Sequence, residues 1–108
     1  MAWVYILIAS VFEICWAVGL KYSEGFTQVK ATIFTVITMI LSYVFLALGV
    51  KQLPIGTAYA VWTGIGAVGT VIYGMIYFNE SKDLLRILFI FFIVVGIIGL
   101  KLTYKPVV

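Results

Sequence analysis

Charged residues divide this chain of 108 residues into four apolar runs, and each run is long enough to cross a membrane as a helix. At about 1.5 Å per residue, twenty helical residues span about 30 Å, the thickness of a bilayer's hydrocarbon core. Hydrophobic residues make up 65% of the chain and charged residues only 10%, which no soluble domain of ordinary composition matches. The sequence therefore predicts a single all-α membrane domain of four transmembrane helices, at residues 2–20, 31–50, 55–78 and 84–104.

Several functional classes are excluded by what the chain lacks. With no His and one Cys, Cys15, it has neither a His/Cys metal site nor an internal disulfide. The connections are short and carry no Gly-x-x-x-x-Gly-Lys motif, so we expect no cofactor, and any transport must be driven by a gradient. Basic residues at the ends of the runs favour anchoring to lipid headgroups over nucleic-acid binding. An enzyme is not expected, because no nucleophile–base pair appears.

Glu13 lies near the middle of the first apolar run, which is otherwise without charge. A carboxylate at the centre of a membrane helix costs roughly 3 kcal/mol, so such residues usually face a protein interior or a wet cavity and serve an ion or proton pathway. Trp16 lies one helical turn further along the same stripe. The alternative is a Glu13 that only bonds a neighbouring helix.

Positive charges are distributed almost evenly between the two sides of the expected bundle. One side holds both chain ends with Lys51, Lys101 and Lys105. The other side holds four positive charges: Lys21, Lys30, Lys82 and Arg86. Three against four gives no clear orientation by the positive-inside rule. The balance favours insertion in both orientations and an antiparallel homodimer, with a parallel dimer or a heterodimer with a paralogue as alternatives.

Polar and small residues mark further candidate positions on the later helices. Tyr59 and Trp62 could line a cation site or could be interfacial belt residues. Ser42 could bond across helices or to its own helix backbone. The glycines allow a helix kink or close helix packing in the third span, and helix association or dimer packing in the fourth. They are Gly64, Gly66 and Gly69 in the third span, and Gly96 and Gly99 in the fourth.

Three ordered blocks of the sequence resemble the small multidrug resistance family of proton-coupled exporters, and the resemblance covers essentially the whole chain. The blocks are Phe12–Ala17 (FEICWA), Leu20–Thr27 (LKYSEGFT) and Leu53–Gly66 (LPIGTAYAVWTGIG). The resemblance implies an antiparallel dimer in the bacterial inner membrane, whose paired membrane glutamates bind protons and a cationic substrate alternately. A tryptophan three residues after the glutamate, here Trp16, resembles the pattern of the family's guanidinium-exporter subtype.

Carried over by position, the resemblance implies that Glu13 binds substrate and protons. It implies that Trp16 and Ser42 orient the carboxylates, that Tyr59 links binding to the gate, and that Trp62 shapes the pocket. A guanidinium pairs with a carboxylate through two parallel N–H···O bonds, which agrees with a small planar cation. Met39, unbranched and adaptable, is a candidate portal for a substrate's alkyl tail.

Other functions stay open at this point. The same aromatic residues could bind bulky hydrophobic cations by cation–π contact, as in a broad exporter of quaternary ammonium or polyaromatic cations. A membrane assembly subunit, with Glu13 as an interhelical contact, would bind no ligand in a pH-dependent way. An ion channel would conduct without coupled exchange.

Overall fold

The computed structural model describes residues 1–104 and has four long helices in that range. They are α1 (Ala2–Tyr22), α2 (Val29–Gly49), α3 (Ile55–Tyr77) and α4 (Leu84–Thr103). Each is long and apolar enough to cross a membrane, which confirms the prediction of an all-helical membrane protein with four spans. Lys105, one of the positive charges grouped above with the chain ends, lies outside the described residues.

The first two helices extend past the lysines that mark the ends of their apolar runs. α1 continues through Lys21 to Tyr22, and α2 begins at Val29, before Lys30. A lysine tolerates this position because its apolar stem can lie along the helix while the ammonium reaches the headgroup region. The two helices are therefore joined by a short connection of residues 23–28.

α1 occupies the middle of the bundle. It packs along both α2 and α3, whereas α2 and α3 approach each other only briefly and the backbone of α4 packs only on α3. Glycines let the helices come close: a Cβ at Gly49 of α2 would overlap the side chain of Ile6, and one at Gly69 of α3 would overlap Ile14. The helix that carries Glu13 is thus held on two sides.

Aromatic and lysine contacts mark the two ends of the bundle. At one end the Lys101 ammonium lies 5.2 Å from the centre of the Trp3 ring, and Tyr104 meets the same ring edge-on at 5.4 Å. At the other end the Lys21 ammonium lies 5.9 Å from the centre of the Phe78 ring. The start of α1 and the end of α4 therefore share one end of the bundle.

α4 lies at the edge of the bundle and has no fully buried residue. Large apolar side chains on it stay exposed, Phe89, Phe91 and Phe92 among them at 54–58%. A membrane protein can present such a surface to lipid or to another chain, because lipid tails are as apolar as the side chains themselves. One copy of the chain therefore leaves most of α4 available for contact.

The close contact of Gly49 with Ile6 predicts a loss of stability in Gly49→Leu. The added side chain must displace the fully buried Ile6, and such overpacking costs about 1–3 kcal/mol. Thermal unfolding of the purified protein in detergent measures the effect. Gly56→Leu is the matched control, because a Cβ at Gly56 meets nothing within 4 Å. Equal destabilisation of both variants would contradict the packing described for α1 and α2.

Candidate functional site

The Glu13 side chain lies between α1 and α3, opposite Gly66. A Cβ at Gly66 would overlap the Glu13 carboxyl group, so the absence of a side chain there makes the space that the carboxyl occupies. One carboxyl oxygen, Oε1, is buried and has no hydrogen-bond partner among the described residues. A buried polar atom left unpaired costs about 1–3 kcal/mol, and its persistence calls for an explanation.

The Trp16 indole, one helical turn away, has a buried hydrogen-bond donor that lacks an acceptor among the described residues. Its Nε1 is also buried and makes no hydrogen bond. An indole N–H can only donate and an ionised carboxylate can only accept, so the two groups offer unused capacity of opposite kind on neighbouring turns of α1. A ligand or another copy of the chain could use both.

Ser42 is fully buried and connects three helices. Its hydroxyl donates to the Ala9 carbonyl of α1 at 2.7 Å and accepts from the Trp62 indole N–H of α3 at 2.9 Å. Of the two alternatives that the sequence left open, the structure has the bond across helices. Because the Ser42 hydroxyl donates its hydrogen bond to the Ala9 carbonyl, it does not donate to the Glu13 carboxyl in this state.

Two tyrosines flank the Trp62 ring. Tyr59 of α3 and Tyr43 of α2 both have ring centres 5.5 Å from that of Trp62. Tyr59 is 55% exposed and Tyr43 is 50% exposed, while Trp62 is only 4% exposed. The structure thus brings Tyr59, Trp62 and Ser42 together, and adds Tyr43, which follows Ser42 directly but carried no signal that separated it from other aromatic residues.

The remaining predicted positions are spread over three helices. Gly64 faces α4, where a Cβ added to it would lie 3.0 Å from the Ile97 side chain, while Gly66 and Gly69 face α1. α3 runs as one helix through all three glycines. Within residues 1–104, nothing comes within 4 Å of a Cβ added to Gly96 or Gly99. Met39 is half-buried on α2, one turn before Ser42.

The chain is similar to known membrane exporters over nearly its whole length. The family described as Small Multidrug Resistance protein matches residues 1–93. A guanidinium exporter of Proteus vulgaris is 54% identical over 102 residues, which are 94% of this chain and 98% of that protein. A guanidinium exporter of Escherichia coli (strain K12) is 50% identical over 103 residues, 95% of this chain and 98% of that protein.

The buried bonds of Ser42 predict that Ser42→Ala destabilises the bundle. The substitution leaves the Trp62 indole N–H without its acceptor, and an orphaned buried donor costs about 1–3 kcal/mol. The stability of the protein in detergent measures the loss. Thr38→Ala, one turn earlier, is the control, because the Thr38 hydroxyl bonds only carbonyls of its own helix.

A double-mutant cycle with Trp62→Phe isolates the Ser42–Trp62 bond. If the bond exists, the loss in the double variant is smaller than the sum of the two single losses. Strictly additive losses would mean that the two side chains do not interact.

Proposed function

The chain belongs to the small multidrug resistance family, and we propose that it exports guanidinium and small substituted guanidinyl cations in exchange for protons. The single observation that carries the proposal is that the buried Glu13 Oε1 and the buried Trp16 Nε1, one helical turn apart, both lack a hydrogen-bond partner within residues 1–104. A planar guanidinium supplies paired N–H donors in a fixed fork that matches a carboxylate, and the indole N–H can hold that carboxylate in the required plane. Relatives named as guanidinium exporters support the same substrate.

The protein is an integral protein of the bacterial inner membrane. Four membrane-length helices and the match to enterobacterial exporters of the same family agree on this setting. Within the bilayer Glu13 is remote from the bulk water that would otherwise hydrate a carboxylate. Its counter-charge must therefore come from a proton, a cation or another protein group.

We also propose that the functional unit is an antiparallel homodimer. Three observations support it: the nearly even distribution of positive charge between the two ends, the exposed apolar surface of α4, and the open space beside Gly96 and Gly99. A second copy in the opposite orientation would bring a second Glu13 to a shared cavity. Two equivalent carboxyls then allow inward- and outward-facing states of equal structure, as inverted repeats do.

Transport in this dimer is coupled to protons because a proton and the guanidinium cation compete for the same Glu13 carboxyl oxygens. A proton on Glu13 occupies the acceptor that guanidinium needs, so each ligand displaces the other. If the site exchanges sides mainly when it is loaded, a proton gradient drives export of the cation. Met39, one turn from Ser42 on α2, remains the proposed portal for a substrate's alkyl tail.

A broad exporter of hydrophobic cations is the second candidate. The aromatic group of Tyr43, Tyr59 and Trp62 favours it, because ring faces attract quaternary ammonium and polyaromatic cations by roughly 0.5–2 kcal/mol. Two of the three rings are half exposed and open to such contact. Competition between guanidinium and tetraphenylphosphonium for uptake separates the two functions.

Glu13→Gln is expected to abolish proton-driven guanidinium movement. The amide cannot exchange a proton near neutral pH and offers no negative charge to the cation. Wild-type protein in liposomes with an imposed proton gradient should accumulate guanidinium, and Glu13→Gln should not exceed protein-free liposomes. Glu13→Asp, which keeps the charge, should retain part of the activity. Coupled transport by Glu13→Gln would overturn the mechanism.

Gly66→Ala is expected to weaken guanidinium binding without preventing folding. The new methyl group occupies the place of the Glu13 carboxyl, and an overpacking cost of about 1–3 kcal/mol corresponds to roughly five- to 150-fold in affinity. Isothermal titration of the purified protein measures the change. Gly69→Ala is the control, since its methyl group displaces only the apolar Ile14 side chain. Equal loss of affinity in both variants would show that helix spacing, not carboxyl position, is responsible.

A further inference from the structure

An apolar groove runs along α1 toward its C-terminal end. Its volume is about 440 Å³, and its walls are Cys15, Val18 and Tyr22 of α1, Phe34 of α2 and Tyr73 of α3. At 100° per residue, Val18 and Tyr22 lie about 140° and 180° around α1 from Glu13. Glu13 and Trp16 do not line the groove, which is therefore a different space from the site described above.

A polar hollow at the end of the helices adjoins the groove. The hollow, of about 890 Å³, is formed by the connection between α1 and α2 together with Phe78, and it includes the lysines Lys21 and Lys30. Tyr22 and Ala31 line both cavities, so the hollow and the groove adjoin each other. The combined space has a basic mouth and an apolar interior.

The acidic residue at the mouth, Glu24, forms a hydrogen bond with a neighbouring side chain. Glu24 also lines the hollow, and its Oε2 accepts a hydrogen bond from the Gln28 side-chain amide at 2.9 Å. The Lys21 ammonium lies over the Phe78 ring, and neither Lys21 nor Lys30 is in an ion pair within residues 1–104. Two lysines against one carboxylate leave the mouth with a net positive charge.

The dimensions match one leaflet of a bilayer. From Tyr22 to Ile14, which also lines the groove, α1 rises about 12 Å, against about 15 Å for half of the hydrocarbon core. The Tyr22 and Tyr73 hydroxyls are hydrogen-bonded to each other at 3.0 Å and fix the wall between α1 and α3 near the mouth. An acyl chain entering beside them would reach almost to the depth of Glu13.

We propose that the combined space binds one anionic phospholipid, with its phosphate at Lys21 and Lys30 and an acyl chain in the groove. A basic cluster at the membrane edge attracts anionic headgroups, and the apolar groove excludes ligands that lack a tail. The bound lipid would support the C-terminal half of α1. In an antiparallel dimer the two copies of this site open to opposite leaflets.

The test is native mass spectrometry of the full chain in detergent with equal amounts of phosphatidylglycerol and phosphatidylcholine that carry the same acyl chains. Wild-type protein should retain phosphatidylglycerol preferentially. Because a lysine near an anionic lipid surface contributes about 1 kcal/mol, or roughly fivefold, Lys21→Gln with Lys30→Gln should lower the preference at least about fivefold. Lys51→Gln with Lys101→Gln, which removes the same charge at the other end of the bundle, should leave it unchanged.

The tail half of the site is tested separately by Ala31→Phe, which narrows the junction of the two cavities and should reduce retention of both lipids. Excess inorganic phosphate should not displace the lipid. Equal retention of the two lipids by the wild type, equal loss in both lysine pairs, unchanged lipid retention in Ala31→Phe, or displacement by phosphate would each overturn the proposal. Circular dichroism and a monodisperse elution profile check that each variant is folded.

Discussion

Two buried hydrogen bonds through the Ser42 hydroxyl tie α1, α2 and α3 together, and the position of Glu13 depends on them. The hydrocarbon core holds no water that could hydrogen-bond a polar group, so a hydroxyl and an indole N–H at this depth are stable only when protein groups bond them. The Ala9 carbonyl accepts a hydrogen bond from the Ser42 hydroxyl. Ala9 precedes Glu13 by four residues, so in an α-helix the same carbonyl also accepts a hydrogen bond from the Glu13 backbone N–H. The Ser42 side chain of α2 therefore helps to set the position of α1 near its carboxylate, and the Trp62 side chain of α3 holds Ser42 in place.

The same need for close approach explains the glycines of α3. Gly66 and Gly69 let α1 come near enough for Glu13 to lie between the helices, and Gly64 does the same for α4 through Ile97. α4 has no comparable partner beyond α3, so its apolar side chains remain exposed. The bundle thus has a tightly defined part, α1 to α3, which positions the candidate site, and a peripheral helix with a free surface.

Much of this architecture was predictable from the sequence, because span length and the cost of an intramembrane charge are properties of the residues themselves. The four helices were predicted on that basis and confirmed, whereas α1 and α2 extend past their terminal lysines because lysine stems tolerate the interface. The partners of Ser42 could not be predicted, since a serine rotamer depends on what packs against it. Tyr43 was not predicted for a similar reason: one aromatic residue among many gives no sign of its contacts. The antiparallel dimer stays a prediction.

The chemistry of the proposed exchange follows from how hydrogen-bond donors and acceptors match. The guanidinium ion has six N–H donors and no acceptor, so one bidentate carboxylate uses two of them and leaves four for a second carboxylate or for water. Two Glu13 carboxylates would satisfy most of this capacity, whereas one chain alone cannot. A proton on either carboxyl replaces an acceptor with a donor that faces the donors of the substrate. Competition between proton and guanidinium therefore arises from the direction of the hydrogen bonds as well as from charge, and a quaternary ammonium, which has no N–H, would be affected by charge alone.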